Sequence, residues 1–221
     1  MMTEESVQIH NTAASKISSI FGVLGGLGGI VHGVGEVLQG NVLTDSFFFS
    51  SWTQGPIAIY LDGDPAFSLI PNLLITGILT LLFSAATIIY ALLIYRNKIK
   101  GRLLIILSII MLLVGGGVGP PILTLLAGLA ALGVGSSYLW WRQHLPRQVQ
   151  RVFTMIWPWV FGLCVGNGVF LVVGHVIAVY FFAPVSAVIF QNSFFFAVVL
   201  LALSIITGIA HDISNQDEIR A

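Results

Sequence analysis

The chain is poor in charge, with nine basic and nine acidic residues in 221, or 8%. A soluble domain carries about a quarter. Hydrophobic residues make up 57% of the chain, and the mean hydropathy is +0.97. Too little polar surface exists to cover a water-facing globule, which excludes a soluble enzyme and a disordered tail. The formal net charge is zero. With no basic excess, nucleic acid is excluded as a partner, and bulk electrostatic steering is not expected. Cysteine is nearly absent too. Cys164 stands alone in an apolar run, so neither an intramolecular disulfide nor a CxxC redox pair can form, and the thiol reads as a small packing residue.

The chain is rich in long apolar runs. A membrane-crossing helix needs about 20 mostly apolar residues. Six stretches qualify or nearly do: 17–38, 67–95, 103–119, 122–141, 152–182 and 185–210. Read as one helix, the third and fourth would run about 38 residues, or about 57 Å, too long for a bilayer. Pro120 and Pro121 would also break its hydrogen-bond ladder. The expectation is therefore a tight hairpin through Gly115, Gly116, Gly117, Val118, Gly119, Pro120 and Pro121, with a re-entrant pair as the alternative. The predicted fold class is all-α, a multi-pass bundle of six transmembrane helices forming a single domain over residues 1–221.

The charges discriminate between span counts. With six spans, Lys16, Arg96, Lys98, Lys100, Arg102, Arg142, Arg147, Arg151 and Arg220 fall on one side, and Asp45, Asp62 and Asp64 on the other. The positive-inside rule makes the basic side, with both termini, cytoplasmic in a cell membrane. Five spans would split the basic clusters across the bilayer. Tyr95, Tyr138, Trp140, Trp141, Trp157 and Trp159 mark the inner interface, and Trp52, Tyr60 and Tyr180 the outer. No small-x-small cleavage site follows the first span, so it reads as a retained helix. The loop 39–66 carries Phe47, Phe48, Phe49 and Trp52. It is too apolar for free solvation and is expected to lie on or dip into the outer interface, with Asp62-Gly63-Asp64-Pro65 forming a turn.

The first span is dense in glycine. Gly22, Gly25, Gly26, Gly29 and Gly33 form overlapping small-xxx-small rows, which let another helix backbone approach closely. Packing within the chain, homo-oligomerisation and a glycine-lined pore or ligand path all use such a face, and the partners expected are the lipid bilayer and either a second copy or another membrane subunit. His32 and Glu36 are four residues apart and share a helix face. Counted from the span ends, His32 lies about 9 Å deep, Glu36 about 3 Å, His175 about 10 Å, Gln191 and Asn192 about 9–10 Å and Asn72 about 6–8 Å. Ionisable groups inside a span are functional-site candidates. His32, Glu36, Asn72, His175, Gln191 and Asn192 thus form a candidate ligand or proton site in the outer leaflet.

Three readings of this layer stand open: a structural hydrogen-bond network, a substrate or proton site, and a metal site on His32, Glu36 and His175. Two histidines and a carboxylate can hold catalytic zinc. However, residues 32–36 read His-Gly-Val-Gly-Glu rather than HExxH, so no cofactor is expected. No serine–histidine pair stands out, and Ser108 and Ser204 read as backbone-bonded helix residues. Asn167, between Gly166 and Gly168, reads either as a local unwinding or as a bond to a neighbouring helix. His211 and Asp212 read as a cap after the last span.

The turn Gly115-Gly-Gly-Val-Gly-Pro-Pro121, together with His32-Gly-Val-Gly-Glu36, resembles a group of bacterial multi-pass membrane proteins. The resemblance covers these two short motifs and implies the fold class, with no activity attached. The functional expectation is a small permease-like protein, or a membrane subunit of a transport or stress system, with an outward-facing polar pocket. Its alternatives are a metal-dependent intramembrane hydrolase and a structural partner subunit.

Overall fold

A computed structural model describes residues 12–94, 98–182 and 187–220. Its helices are α1 (Ala13–Gln39), α2 (Gly55–Tyr60), α3 (Leu73–Leu92), α4 (Lys98–Leu113), α5 (Gly119–Ala131), α6 (Leu139–His144), α7 (Arg147–Val169), α8 (His175–Phe181) and α9 (Ala187–Arg220). A π-helical turn, Phe170–Gly174, joins α7 to α8. Two short strands, β1 (Phe48–Ser50) and β2 (Pro65–Phe67), pair antiparallel with Phe49 opposite Ala66. Four rods are long and apolar enough to cross a membrane: α1, α3, α7 with α8, and α9. This is an all-α chain compatible with a helical membrane bundle.

Local chemistry sets the boundaries. Thr12 caps α1 by accepting from the Ser15 amide at 3.1 Å. Gly40 ends it at φ +79°. Asn72 caps α3 through Ile75 N–H at 3.1 Å, so that helix starts six residues later than the span 67–95 drawn from hydropathy. The hairpin between α4 and α5 is present, but its prolines do not separate the two helices. Pro120 and Pro121 sit in the first turn of α5, where a missing amide hydrogen costs nothing. The span 122–141 is corrected at its far end. Helix α5 stops at Ala131, and Gly135 and Tyr138 adopt φ +70° and +51° before the short α6. The last helix runs to Arg220, ten residues past the expected 210, because its polar end is held by other parts of the chain. Tyr95, Arg96, Asn97 and Val185 lie outside the described residues.

Helix α1 is the hub, packing chiefly on α3 and α5 and also on α9. Its glycines divide among three neighbours. A Cβ at Gly22 would stand 2.6 Å from Ala91 Cβ, at Gly26 2.9 Å from the Ser84 carbonyl, and at Gly33 3.0 Å from the Gly77 carbonyl, all on α3. At Gly25 it would meet the Pro120 carbonyl of α5 at 2.9 Å, and at Gly29 the Met111 methyl of α4 at 2.6 Å. The glycine rows are therefore used within the chain. Helix α3 answers with a dry hydroxyl row, Thr76, Thr80, Ser84 and Thr87, each fully buried. Thr80 donates to the Val114 carbonyl at 3.1 Å. Ser108 bonds a backbone carbonyl as expected, that of Pro121 across the hairpin at 2.6 Å, whereas the buried Ser204 hydroxyl, of which the same was expected, has no hydrogen bond among the described residues. On the other flank, Phe21, Leu24, Leu123, Cys164, Val172 and Leu201 gather α1, α5, the π turn and its neighbours into one apolar core.

The cap expected at His211-Asp212 is corrected. Helix α9 passes straight through both residues. Asp212 is 2% exposed and accepts from the Ala13 and Ala14 amides at 2.6 and 3.1 Å. It thus caps the start of α1, satisfying amides that helical geometry leaves orphaned. The Tyr138 hydroxyl donates to the same carboxylate at 3.3 Å. Burial, reinforced by that negative charge, holds the phenol above its ordinary pKa. His211 stacks on Trp157 at 4.5 Å between ring centroids, and Lys16 lies 5.6 Å from the centre of the same indole. Trp157 and Tyr138, expected as interfacial anchors, are packed inside, whereas Trp140 and Trp159 stay exposed.

Candidate functional site

The site is assembled where the 40–72 segment folds back over the end of the bundle. That segment is a docked cap. The Leu69 amide bonds the Leu113 carbonyl at 2.9 Å, and Ile57, Leu61 and Val179 pack together with Trp52, Tyr60 and Phe190. Gly35 makes room for it: a Cβ there would stand 2.6 Å from the Trp52 ring. Gln39 clasps the same stretch, donating to the Ser51 carbonyl at 2.7 Å. The two glycines of His-Gly-Val-Gly-Glu therefore serve opposite sides, Gly33 receiving α3 and Gly35 receiving the cap.

The docked cap delivers two side chains to the first helix. Ser51 is fully buried. Its Oγ lies 2.9 Å from His32 Nδ1, and its hydroxyl donates to Glu36 Oε1 at 3.1 Å. Asp64 Oδ2 lies 3.2 Å from His32 Nε2. The result is a continuous chain, Glu36–Ser51–His32–Asp64. Its protons can be counted. With the single Ser51 hydrogen on Glu36, Nδ1 must carry a hydrogen to meet the Ser51 oxygen, and another must lie between Nε2 and Asp64. The same three hydrogens also satisfy a second arrangement: a protonated Glu36 donates to Ser51, Ser51 donates to Nδ1, and Nε2 donates to Asp64. The two differ only by a concerted shift along the chain, which moves positive charge from the imidazole to the Glu36 end.

The glycine turn forms the back wall of this chain. Gly115 and Gly117 have φ +108° and +75°, conformations that L side chains avoid. Space is the second constraint. A Cβ at Gly115 would stand 2.6 Å from Glu36 Oε2, and one at Gly117 would overlap the His32 ring. Gly116 closes the end of α4 through its amide to the Met111 carbonyl at 2.8 Å. At Gly119 a Cβ would press on the Phe194 ring at 2.9 Å. The two motifs separated by some eighty residues in sequence are one packed unit.

Beside His32 and Asp64 lies a cavity of about 190 Å³ between α1, α5, the π turn and α9. Leu24, Val31, Leu123, Leu171, Val172, Phe190 and Phe194 make its wall apolar. Among the described residues, His32, Asp64 and His175 are the ionisable groups that line it. The π turn delivers His175. The ring, 5% exposed, packs on Phe190 with centroids 4.9 Å apart. The carbonyls of Phe170 and Leu171 approach it, but neither ring nitrogen has a well-formed hydrogen bond among the described residues. Asn167, just before the turn, donates to the Ser193 carbonyl of α9 at 2.8 Å, so the change of winding and the inter-helix bond occur together.

The sequence-derived set separates into members and bystanders. His32 and Glu36 are joined through Ser51, and His175 shares a cavity with His32. Asn72 does not join them: its side chain caps α3 and donates to Asn41 at 2.6 Å. Gln191 and Asn192 are exposed, because the helical period that turns Phe190 and Phe194 into the cavity turns these two outward. The metal set His32, Glu36 and His175 does not converge, and no group of three metal-ligating side chains occurs among the described residues. Glu36 is turned toward Ser51 and Gly115, away from the cavity that His175 lines. Ser51 and Asp64 are the members sequence reading missed. A serine–histidine pair does exist, contrary to expectation, but the Ser51 hydroxyl is enclosed between His32 and Glu36 and does not line the cavity, so it is not placed as a nucleophile. The sequence showed a turn at Asp62-Gly63-Asp64-Pro65 but not its direction: Asp62, Gly63 and Asp64 adopt φ +51°, +74° and +57°, and the turn brings the Asp64 carboxylate to His32.

No family model, curated protein or solved structure matches the chain.

Proposed function

We propose that the chain is a permease-like protein of six spans with cytoplasmic termini, whose outer half holds a binding pocket for one small, largely apolar molecule. The observation that carries this reading is the cavity itself: an apolar wall with three ionisable side chains on it, two of them, His32 and Asp64, belonging to a chain of proton-sharing groups. Ligand pockets are built this way, with a mostly apolar lining and a few placed polar groups. A merely structural polar layer would be dry and satisfied, whereas His175 lines the cavity with no well-formed hydrogen bond at either ring nitrogen among the described residues. A dry cavity of about 150 Å³ accepts benzene, so the space suits a molecule of one ring and a short tail. The Glu36–Ser51–His32 chain would let the pocket change charge without opening to water.

The six-span count and its orientation draw support from two features. Residues of the α4–α5 hairpin pack along α1 from Glu36, against Gly115, down to Ala14, against Gly133, so the hairpin follows α1 through nearly its whole length. Lys16, Arg102, Arg142, Arg147 and Arg151 belong to the opposite end from Asp45, Asp62 and Asp64. Arg142 forms an ion pair with Asp217 there.

In detergent, a panel of small apolar molecules is expected to include at least one class that raises the unfolding temperature of the wild type and crosses proteoliposome membranes containing it. Leu171→Trp, which fills the cavity, should abolish both effects. A panel that leaves the wild type unmoved, or stabilises Leu171→Trp equally, overturns the pocket. Orientation is read separately in a Cys164→Ser background. An impermeant thiol reagent should label Ser46→Cys but not Gln148→Cys in intact cells, and the reverse pattern would refute it.

A further inference from the structure

Resting on the pocket reading above, we infer that the ligand is a cationic amine, its ammonium held by Asp64 and His175 and its apolar body by Phe190, Phe194 and Leu171. Three independent observations select this class. First, the anionic group on the cavity wall is Asp64, whose side chain keeps 13% exposure and whose charged partner among the described residues is His32. Second, among the described residues no lysine or arginine lines the cavity. A carboxylate or phosphate ligand would sit against Asp64 with no guanidinium or ammonium to offset the repulsion, and the His32 imidazole is already bonded to that carboxylate at 3.2 Å, whereas an ammonium meets a carboxylate directly. Third, His175 is aimed into the cavity, 95% buried, with no well-formed hydrogen bond at either ring nitrogen among the described residues. A neutral imidazole offers a lone pair to an N–H donor, and an ammonium has three such donors, enough for Asp64 and His175 together.

The remaining wall suits the same ligand. Phe190 and Phe194 are four residues apart on α9 and both line the space. Phenyl faces attract a cation through the ring quadrupole, the more so where water is excluded. A neutral alcohol of the same shape would bury its skeleton equally well but leave the Asp64 charge without a new partner. The difference between amine and alcohol therefore isolates the charge from the pocket.

The test uses full-length protein in detergent near neutral pH, with phenethylamine, phenethyl alcohol and hydrocinnamate as probes of matched skeleton. Phenethylamine should bind at least about tenfold more tightly than the alcohol, the size of one charge-assisted hydrogen bond, and hydrocinnamate should bind most weakly. Asp64→Asn keeps the left-handed turn, which asparagine tolerates. It should erase the preference for the amine while leaving alcohol binding within about twofold, which also certifies an intact pocket. Should Asp64→Asn bind none of the probes, Phe190→Leu decides, with an expected loss of about threefold for the amine and little for the alcohol. Equal binding of amine and alcohol, both blocked by Leu171→Trp, overturns the amine while leaving the pocket standing. So does tightest binding of hydrocinnamate. No binding of any probe to the wild type overturns the inference as well, and the wider panel then judges the pocket on its own.

Discussion

Gly26 of α1 and Gly166 of α7 are the same residue in two helices that are each long and apolar enough to cross a membrane, yet they do opposite things. A Cβ on Gly26 would enter α3, 2.9 Å from a carbonyl oxygen. A Cβ on Gly166 would meet nothing within 4 Å among the described residues. The molecule thus has a tight side, where α1, α3, α4 and α5 close on glycine and small hydroxyls, and a looser side, where α7, the π turn and α9 stand off and leave the cavity. Rigidity and vacancy are adjacent. The tight side holds His32 and Glu36 in fixed rotation, and the loose side supplies His175 and the space for a ligand. Glycine content alone does not identify a packing seam, since a missing side chain matters only where a neighbour occupies its place.

Three experiments break or sharpen this contrast. The largest effect is expected at the seam. Gly29→Leu should cost at least about 3 kcal/mol, because even its Cβ overlaps Met111 and Ser84 and both belong to packed helices. Gly166→Leu should cost far less. Thermal unfolding in detergent compares them, and equal losses would erase the distinction between the sides. Gly40, at φ +79°, is a poor control because any side chain there is strained.

The next effect is expected where the two sides are joined. Asp212→Ala leaves the Ala13 and Ala14 amides of α1 without their carboxylate and should destabilise by about 2–3 kcal/mol. Asp217→Ala, on the exposed Arg142 pair, should cost under about 1 kcal/mol. A denaturant titration showing the reverse order would refute the assignment of Asp212 as the cap of α1. The smallest effect is a gain. Gly166→Ala adds a methyl to open space and removes backbone freedom from the unfolded chain, so stability should rise by about 0.5–1 kcal/mol. A loss of that size would mean that the loose side is occupied, by lipid or by a second copy.

Much of the site was half-legible. The i, i+4 spacing of His32 and Glu36 put them on one face, and counting residues from the span ends put His175 at their level. Asn72, Gln191 and Asn192 passed the same depth criterion and failed on rotation, because depth is a distance along an axis and contact also needs an angle. That angle for α9 was set by which of its residues were needed against α5 and α8, namely Phe190 and Phe194. Ser51 and Asp64 were out of reach for another reason. They arrive on a loop whose course is decided by pairing between Phe48–Ser50 and Pro65–Phe67 and by Trp52 lying on Gly35, none of which has a local periodicity to read.

What the residues determine by themselves is what bilayer physics and backbone chemistry act on locally. Apolar length makes long helices. The glycine run after Leu113 ends one helix, and Pro120-Pro121 open the next. Glycines at every third or fourth position of α1 permit a close neighbour. Only the tertiary structure decided which neighbour: that Gly26 meets α3, that Gly117 lies on His32, and that Asp212 caps a helix two hundred residues before it. These choices depend on non-local packing. A close approach lowers the free energy only when the two surfaces match in three dimensions, and that match is a property of the assembled helices, written in no single segment.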